Sequence, residues 1–190
     1  MKIRIMTALL AAALGATNLA ASQATGPGAS ATDAAAMQEF ERRTDAYLKS
    51  RAAMIGTLAP LAETSNAAEL AARKNALAAA IGHQRKQARV GDLIPPAAAG
   101  IIRREVTLDL KTRPAPEKQG ALEEVPRGAL ALNAPYPPNA AMATVPPLLL
   151  YRLPRLPEAL QYRFYGRHII LLDSDAAVVL DYVPDVLPPH

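Results

Sequence analysis

Apolar residues recur along this chain with two different periods. In "DAAAMQEFERRTDAYLKSRAAMIGTL", from Asp33 onward, Met37, Phe40, Tyr47, Met54, Ile55 and Leu58 fall near one stripe. Phe40, Tyr47 and Met54 stand seven apart, close to two helical turns each. Thr32 or Asp33 can cap that helix, and Pro60 ends it. A second helix begins at Asn66, where Glu69 completes a capping-box spacing, and Leu70, Leu77 and Ile81 mark its apolar stripe. Gly91-Asp92 is its expected stop. The short link "APLAETS" predicts an antiparallel pair. A third helix starts at the prolines of "LIPPAAAGIIRREVTLDL", with Ile101, Ile102, Val106 and Leu110 on its buried side.

Near the C-terminus the period shortens to two. "LQYRFYGRHIILLDSDAAVVLDYVP" reads as three strands joined by two turns. Gly166-Arg167 has the glycine-first form of a type II′ loop, which pairs Tyr165 with His168, Phe164 with Ile169 and Tyr162 with Leu171. A second turn at "DSDA" predicts Leu171 opposite Val178, Ile169 opposite Leu180, and His168 opposite Asp181. One face then carries Tyr162, Phe164, Ile169, Leu171, Val178, Leu180 and Tyr182. The other mixes Arg163, Tyr165, His168, Ile170, Val179 and Asp181. Three strands cannot bury such a face alone, so a helix or upstream chain must cover it.

Between the two regions, "KTRPAPEKQGALEEVPRGALALNAPYPPNAAMATVPP" is broken by Pro and Gly every few residues. It is expected to be extended or turn-like, with "ALALN" as a short strand. "PPLLLYRLP" predicts a short helix. The fold class is α+β: a helical hairpin plus third helix (33–113), a Pro-rich connection (114–145), then a short helix and a three-stranded antiparallel meander (146–190).

The first residues change the picture of where the chain works. Lys2 and Arg4 precede the apolar run "IMTALLAAALGATNLA", and small residues follow. These are the three parts of a secretory signal peptide, placed at residues 1–24 with cleavage between Ala20 and Thr25. The run is shorter than the roughly 20 apolar residues that span a bilayer. Residues 25–32 read as a flexible leader. The expected location is periplasmic or secreted, and no Cys follows the apolar run to carry a lipid anchor. Loss of Lys2 and Arg4 lowers the formal charge from +4 to +2, too weak for a nucleic-acid footprint. With no cysteine in 190 residues, no disulfide supports the fold.

Few residues suggest chemistry. His168 and Asp181, if cross-strand neighbours, would make a proton-transfer pair, though no nucleophile or oxyanion donor accompanies them. "LLDSDAA" alternates oxygen ligands at Asp173, Ser174 and Asp175, but lacks the glycine and distal glutamate of a calcium loop, so it reads as an Asx-type turn. Arg85, Lys86 and Arg89, beside His83, form a basic helix end that could meet anionic lipid or glycan, or simply complement the helix dipole. Three scattered histidines have no metal-ligand spacing. No Gly-x-Ser-x-Gly, His-Glu-x-x-His, P-loop or dinucleotide glycine pattern occurs. No catalytic residue, metal or cofactor is assigned.

"ATVPP" followed by "LLLYRLPRLPEAL", then "YRFYGRHIILLD" and "VVLDYVP", resembles the C-terminal part of small exported bacterial proteins with no assigned biochemical function. "ERRTDAY" and "RVGDLIPP" are similar to the helical part of that group. The resemblance covers most of the chain after the signal. It implies a signal peptide and an envelope or extracellular location, and no ligand residues. The leading expectation is therefore a non-enzymatic envelope protein that binds a protein partner or acts structurally, with Tyr165 and Ile170 on an outer sheet face as the contact patch. One alternative is an anionic lipid or glycan module acting through Arg85, Lys86 and Arg89. The other is a small hydrolase using acidic residues or His168 with Asp181.

Overall fold

A computed structural model describes residues 30–60, 64–137, 140 and 143–189. The expected signal peptide, most of the leader and His190 lie outside them. The architecture is α+β, with helices first and an open antiparallel sheet at the C-terminus.

Helix α1 spans Ala31–Thr57. Ser30 caps it by accepting from the Asp33 amide, so the helix starts two residues before the expected Asp33 and absorbs the end of the leader. Its buried stripe is Ala36, Phe40, Thr44, Tyr47, Arg51 and Met54. Thr44 and Arg51 are polar residues on a stripe that otherwise reads as core. Helix α2, Ala67–Gln84, opens at the expected Asn66 cap, whose side chain accepts from the Ala68 amide. It ends at Arg85 rather than Gly91, and Leu70 is exposed. Helix α3, Pro96–Thr112, begins at the expected prolines and buries Ile101, Ile102 and Val106.

The Pro-rich connection is less extended than its composition predicts. Helix α4, Ala115–Glu123, occupies its start, because Pro116 sits in the first turn, where its missing amide costs no hydrogen bond. "ALALN" forms no strand; among its described residues the connection makes only isolated bridges, Pro135 with Val178 and Thr144 with Arg163. Helix α5, Pro147–Arg152, is the expected short one.

Strands β1 (Leu160–Tyr165), β2 (His168–Asp173) and β3 (Val178–Val183) form the sheet in the order β1-β2-β3. The first hairpin has the expected register, Tyr165 with His168, Phe164 with Ile169 and Tyr162 with Leu171. Gly166 adopts φ 57° and no positive φ follows at Arg167, as a type II′ loop requires.

The second hairpin does not have the expected register. Asp173 pairs with Val178 and Leu172 with Val179, and then a bulge intervenes. Beyond it Leu171 pairs with Asp181 and Ile169 with Val183. Leu180 is the inserted residue, and the insertion brings both Leu180 and Asp181 to the helix-covered face. Asp181 is therefore not opposite His168, and Val183 replaces Tyr182 in the main core.

Phe40, Ile81, Ile102, Leu149, Ile169, Leu171, Leu180 and Val183 belong to one buried cluster, so helices and sheet share a core. The other sheet face is also covered. Tyr165, Ile170, Leu172 and Val179 pack with Tyr136. The connection is held there by Asn133 N–H donating to Val179 O, Tyr136 N–H to Ala177 O, and Val179 N–H to Ala134 O. Tyr165 is 3% exposed and Ile170 0%, so neither offers the expected outer contact patch. Alternation alone predicts two faces; it does not say that extended chain will shield the second one.

Candidate functional site

Two groups of polar residues arise from this fold. The first joins α1 to the β2–β3 turn. Tyr47 and Arg51 lie four apart on the buried stripe of α1, so both side chains reach the same spot. Tyr47 Oη donates to Asp173 Oδ2 at 2.8 Å, and Arg51 Nε donates to the same oxygen at 2.7 Å. Asp173 Oδ1 accepts from the Ala176 amide at 2.9 Å, which closes the turn. Arg51 Nη2 also ion-pairs with Asp175. Burial, reinforced by the Asp173 charge, pushes the Tyr47 hydroxyl far above its ordinary range. Burial pulls against the charge on Arg51, but its bonds to Asp173 and Asp175 outweigh that and hold the guanidinium protonated. Asp173 closes the turn through the amide three residues on rather than the two of the expected Asx-type turn, and it is also the buried carboxylate of an ion pair.

Arg85 extends this group. Its guanidinium carbon lies 5.6 Å from the centroid of the Tyr47 ring. Nη2 donates to Leu180 O at 2.9 Å, the carbonyl of the bulged residue, and Nε donates to Asn133 Oδ1 at 3.2 Å. Asn133 returns a bond from Nδ2 to the Arg85 carbonyl at 2.7 Å. Burial lowers the Arg85 pKa from the usual arginine value. Arg85 is thus a tie between α2, the connection and β3. Of the expected basic triplet, only Lys86 and Arg89 remain exposed.

The second group is Asp181 in a ring of backbone donors. The amides of Leu93 and Ile94 each donate to Oδ2 at 2.8 Å, and that of Gly91 donates to Oδ1 at 2.9 Å. The Tyr182 amide adds a bond to Oδ1. Gly91 reaches this position at φ 95°, a conformation that favours glycine. The carboxylate fixes the α2–α3 loop. His168, meanwhile, faces elsewhere. Its Nδ1 accepts from the Asp185 amide at 3.2 Å, and its ring lies 5.4 Å from that of Tyr182. Burial lowers its pKa, opposed by nearby Asp185. The expected His168–Asp181 pair does not form.

Neither group lines either of two concavities found among the described residues. One, about 150 Å³, lies among α3, α4 and β1 beside the partly buried Asp109–Arg113 pair. It is below the roughly 300 Å³ at which ligand pockets begin. The other, about 430 Å³, runs along β1 beside α5. Its walls include Val145, Leu150, Pro154, Leu156 and Leu160, with Arg155, Gln161, Tyr162 and Arg163.

Next to this cleft lie the most exposed large apolar side chains among the described residues. On α5, Leu148 is 73%, Leu150 48% and Tyr151 85% exposed. Leu148, Tyr151 and Arg152 stand three and four apart, on one side of the helix. The sequence predicts α5 as a short helix with no role; the three consecutive leucines, of which a six-residue helix can bury only some, are the signal for one.

Among the described residues no cluster of His, Cys, Asp and Glu could hold a metal ion, and no helix is long and apolar enough to cross a membrane. No family model, curated protein or solved structure matches this chain.

Proposed function

We propose that this chain is an exported, non-enzymatic protein of the cell envelope that acts by binding, through the surface formed by α5 and the β1 cleft. The observation that supports this reading is the exposure of Leu148, Leu150 and Tyr151 beside a cleft of ligand size. Large side chains left in water on a short helix cost the fold burial it could have used, and a partner recovers it. The basic n-region and apolar run at the N-terminus support export. The buried charges at Arg51, Asp173 and Asp181 serve as ties within the fold, so the proposal does not assign them to binding.

The test is capture from detergent-solubilised envelope, with mass spectrometry of proteins and lipids that co-purify. Wild-type protein should retain a reproducible species that a Leu148→Asp, Tyr151→Asp variant loses. Equal capture by both would remove this surface from consideration.

A further inference from the structure

The excess positive charge of this chain is concentrated in one place. Between residues 143 and 166 stand Arg152, Arg155 and Arg163 against the single acid Glu158. The other positions from Thr25 onward hold sixteen basic and sixteen acidic residues, so the formal excess of +2 falls wholly within this stretch. Arg152 lies in the last turn of α5, and Arg155 follows in the loop after it. Both are exposed, and neither has an ion pair among the described residues.

The same short segment carries the exposed apolar side chains. Of α5 only Leu149 is buried, and Leu149 and Leu153 root the segment in the main core. Successive helical residues are turned by about 100°, so Leu148, Leu150 and Tyr151 fan out over nearly half the circumference of α5. They form a convex surface rather than a pocket, and a fluid interface covers such a surface on all its sides at once. Apolar and aromatic side chains beside unpaired cations are the makeup of a segment that lies in the headgroup region of an anionic bilayer.

We infer that α5 and the loop after it dock on an anionic phospholipid surface, with Leu148, Leu150 and Tyr151 entering the boundary between headgroups and acyl chains and Arg152 and Arg155 on the phosphates. Long arginine stems can lie along apolar surface while the guanidinium heads stay in water, so both contacts are made together. A helix of six residues is far too short to span, so the attachment is peripheral. This inference rests on the binding reading above and names its partner.

Co-sedimentation with vesicles of the chain from Thr25 onward tests it; the apolar run before Thr25 is left off because it would enter lipid by itself. A mixture of phosphatidylglycerol and phosphatidylcholine should bind at least about tenfold more tightly than phosphatidylcholine alone, each arginine near an anionic surface being worth about fivefold. Arg152→Gln with Arg155→Gln should remove that preference. Leu148→Asp with Tyr151→Asp should weaken binding to the mixture by at least about tenfold, by setting charge where apolar surface must enter. The chain has no tryptophan, so Tyr151→Trp supplies a single emission, which should shift to the blue on the mixture and be quenched by brominated acyl chains. All four substituted side chains are exposed, and circular dichroism checks each variant. Tyr151→Trp, the mildest change, decides the matter if the others fail to fold. Equal binding to both kinds of vesicle, binding indifferent to the apolar variants, or an unshifted emission would overturn the inference. Binding lost instead in Lys86→Gln with Arg89→Gln would move the contact to the end of α2 and overturn it too. Unbound vesicles, with envelope capture that still depends on Leu148 and Tyr151, would assign the face to a protein and sink this inference alone. Loss of both would sink the binding reading with it.

Discussion

Arg51 Nε donates to Asp173 Oδ2 at 2.7 Å, although the two residues stand 122 positions apart in the chain. The bond joins the C-terminal half of α1 to the end of β2, and both partners are buried. Removing one side of such a pair leaves an uncompensated charge. Arg51→Met should therefore cost about 3–5 kcal/mol, read as a fall in the urea midpoint. Arg51→Met combined with Asp173→Asn should recover much of that loss, because no buried charge is then left alone. A double variant as weak as the sum of the singles would show that the pair is not coupled.

Asp181 predicts a local effect instead. Asp181→Asn exchanges one acceptor oxygen for a donor facing the amides of Gly91, Leu93 and Ile94. It should cost about 1.5–3 kcal/mol, the range for hydrogen bonds to a charged group. Amide exchange at Leu93 and Ile94 should speed up in step, while the amide of Ile81, inside α2, slows or speeds only with global stability. Unchanged exchange at Leu93 and Ile94 would remove the proposed anchoring of the loop.

The covered second sheet face separates two pictures sharply. Ile170→Ala should cost about 2–5 kcal/mol, as in a packed core. An exposed residue at that position would cost within about 0.5 kcal/mol. Thermal unfolding distinguishes the two.

His168 gives the pH dependence. Its pKa is lowered in the fold, so the unfolded chain binds more protons as the pH falls through the ordinary histidine range. Stability contributed by the neutral ring is complete above the unfolded value of about 6.5 and declines as pH falls toward and through the folded pKa. Protonation would also place a donor at Nδ1 against the Asp185 amide. The drop in unfolding midpoint between pH 7.5 and pH 5 should be smaller in His168→Gln. An identical drop would assign that loss to other groups.

The sequence made some of this legible and hid the rest for physical reasons. The Phe40–Tyr47–Met54 spacing, the Asn66 cap, the prolines before α3 and the Gly166 loop are local signals, and local structure followed them. The β3 bulge has no composition of its own. It inserts Leu180 into an apolar run where either register looks reasonable, and so the expected His168–Asp181 pair rested on the wrong alignment. Arg51 and Asp173 were hidden differently. Each reads as a surface residue until the partner 122 positions away is known. Arg85 looked like a free cation because nothing in "IGHQRKQARV" shows that the carbonyl of Leu180 waits beside it. The cleft depends on how α5 meets β1, a tertiary fact without a local trace.

Buried charge ties this fold together, and we propose that binding takes place at α5 and β1. Hydrogen exchange of the protein, with and without solubilised envelope, tests it most directly. New protection should be confined to residues 145–163. Protection centred instead on residues 85–89 or 173–181, with 145–163 unchanged, would contradict it.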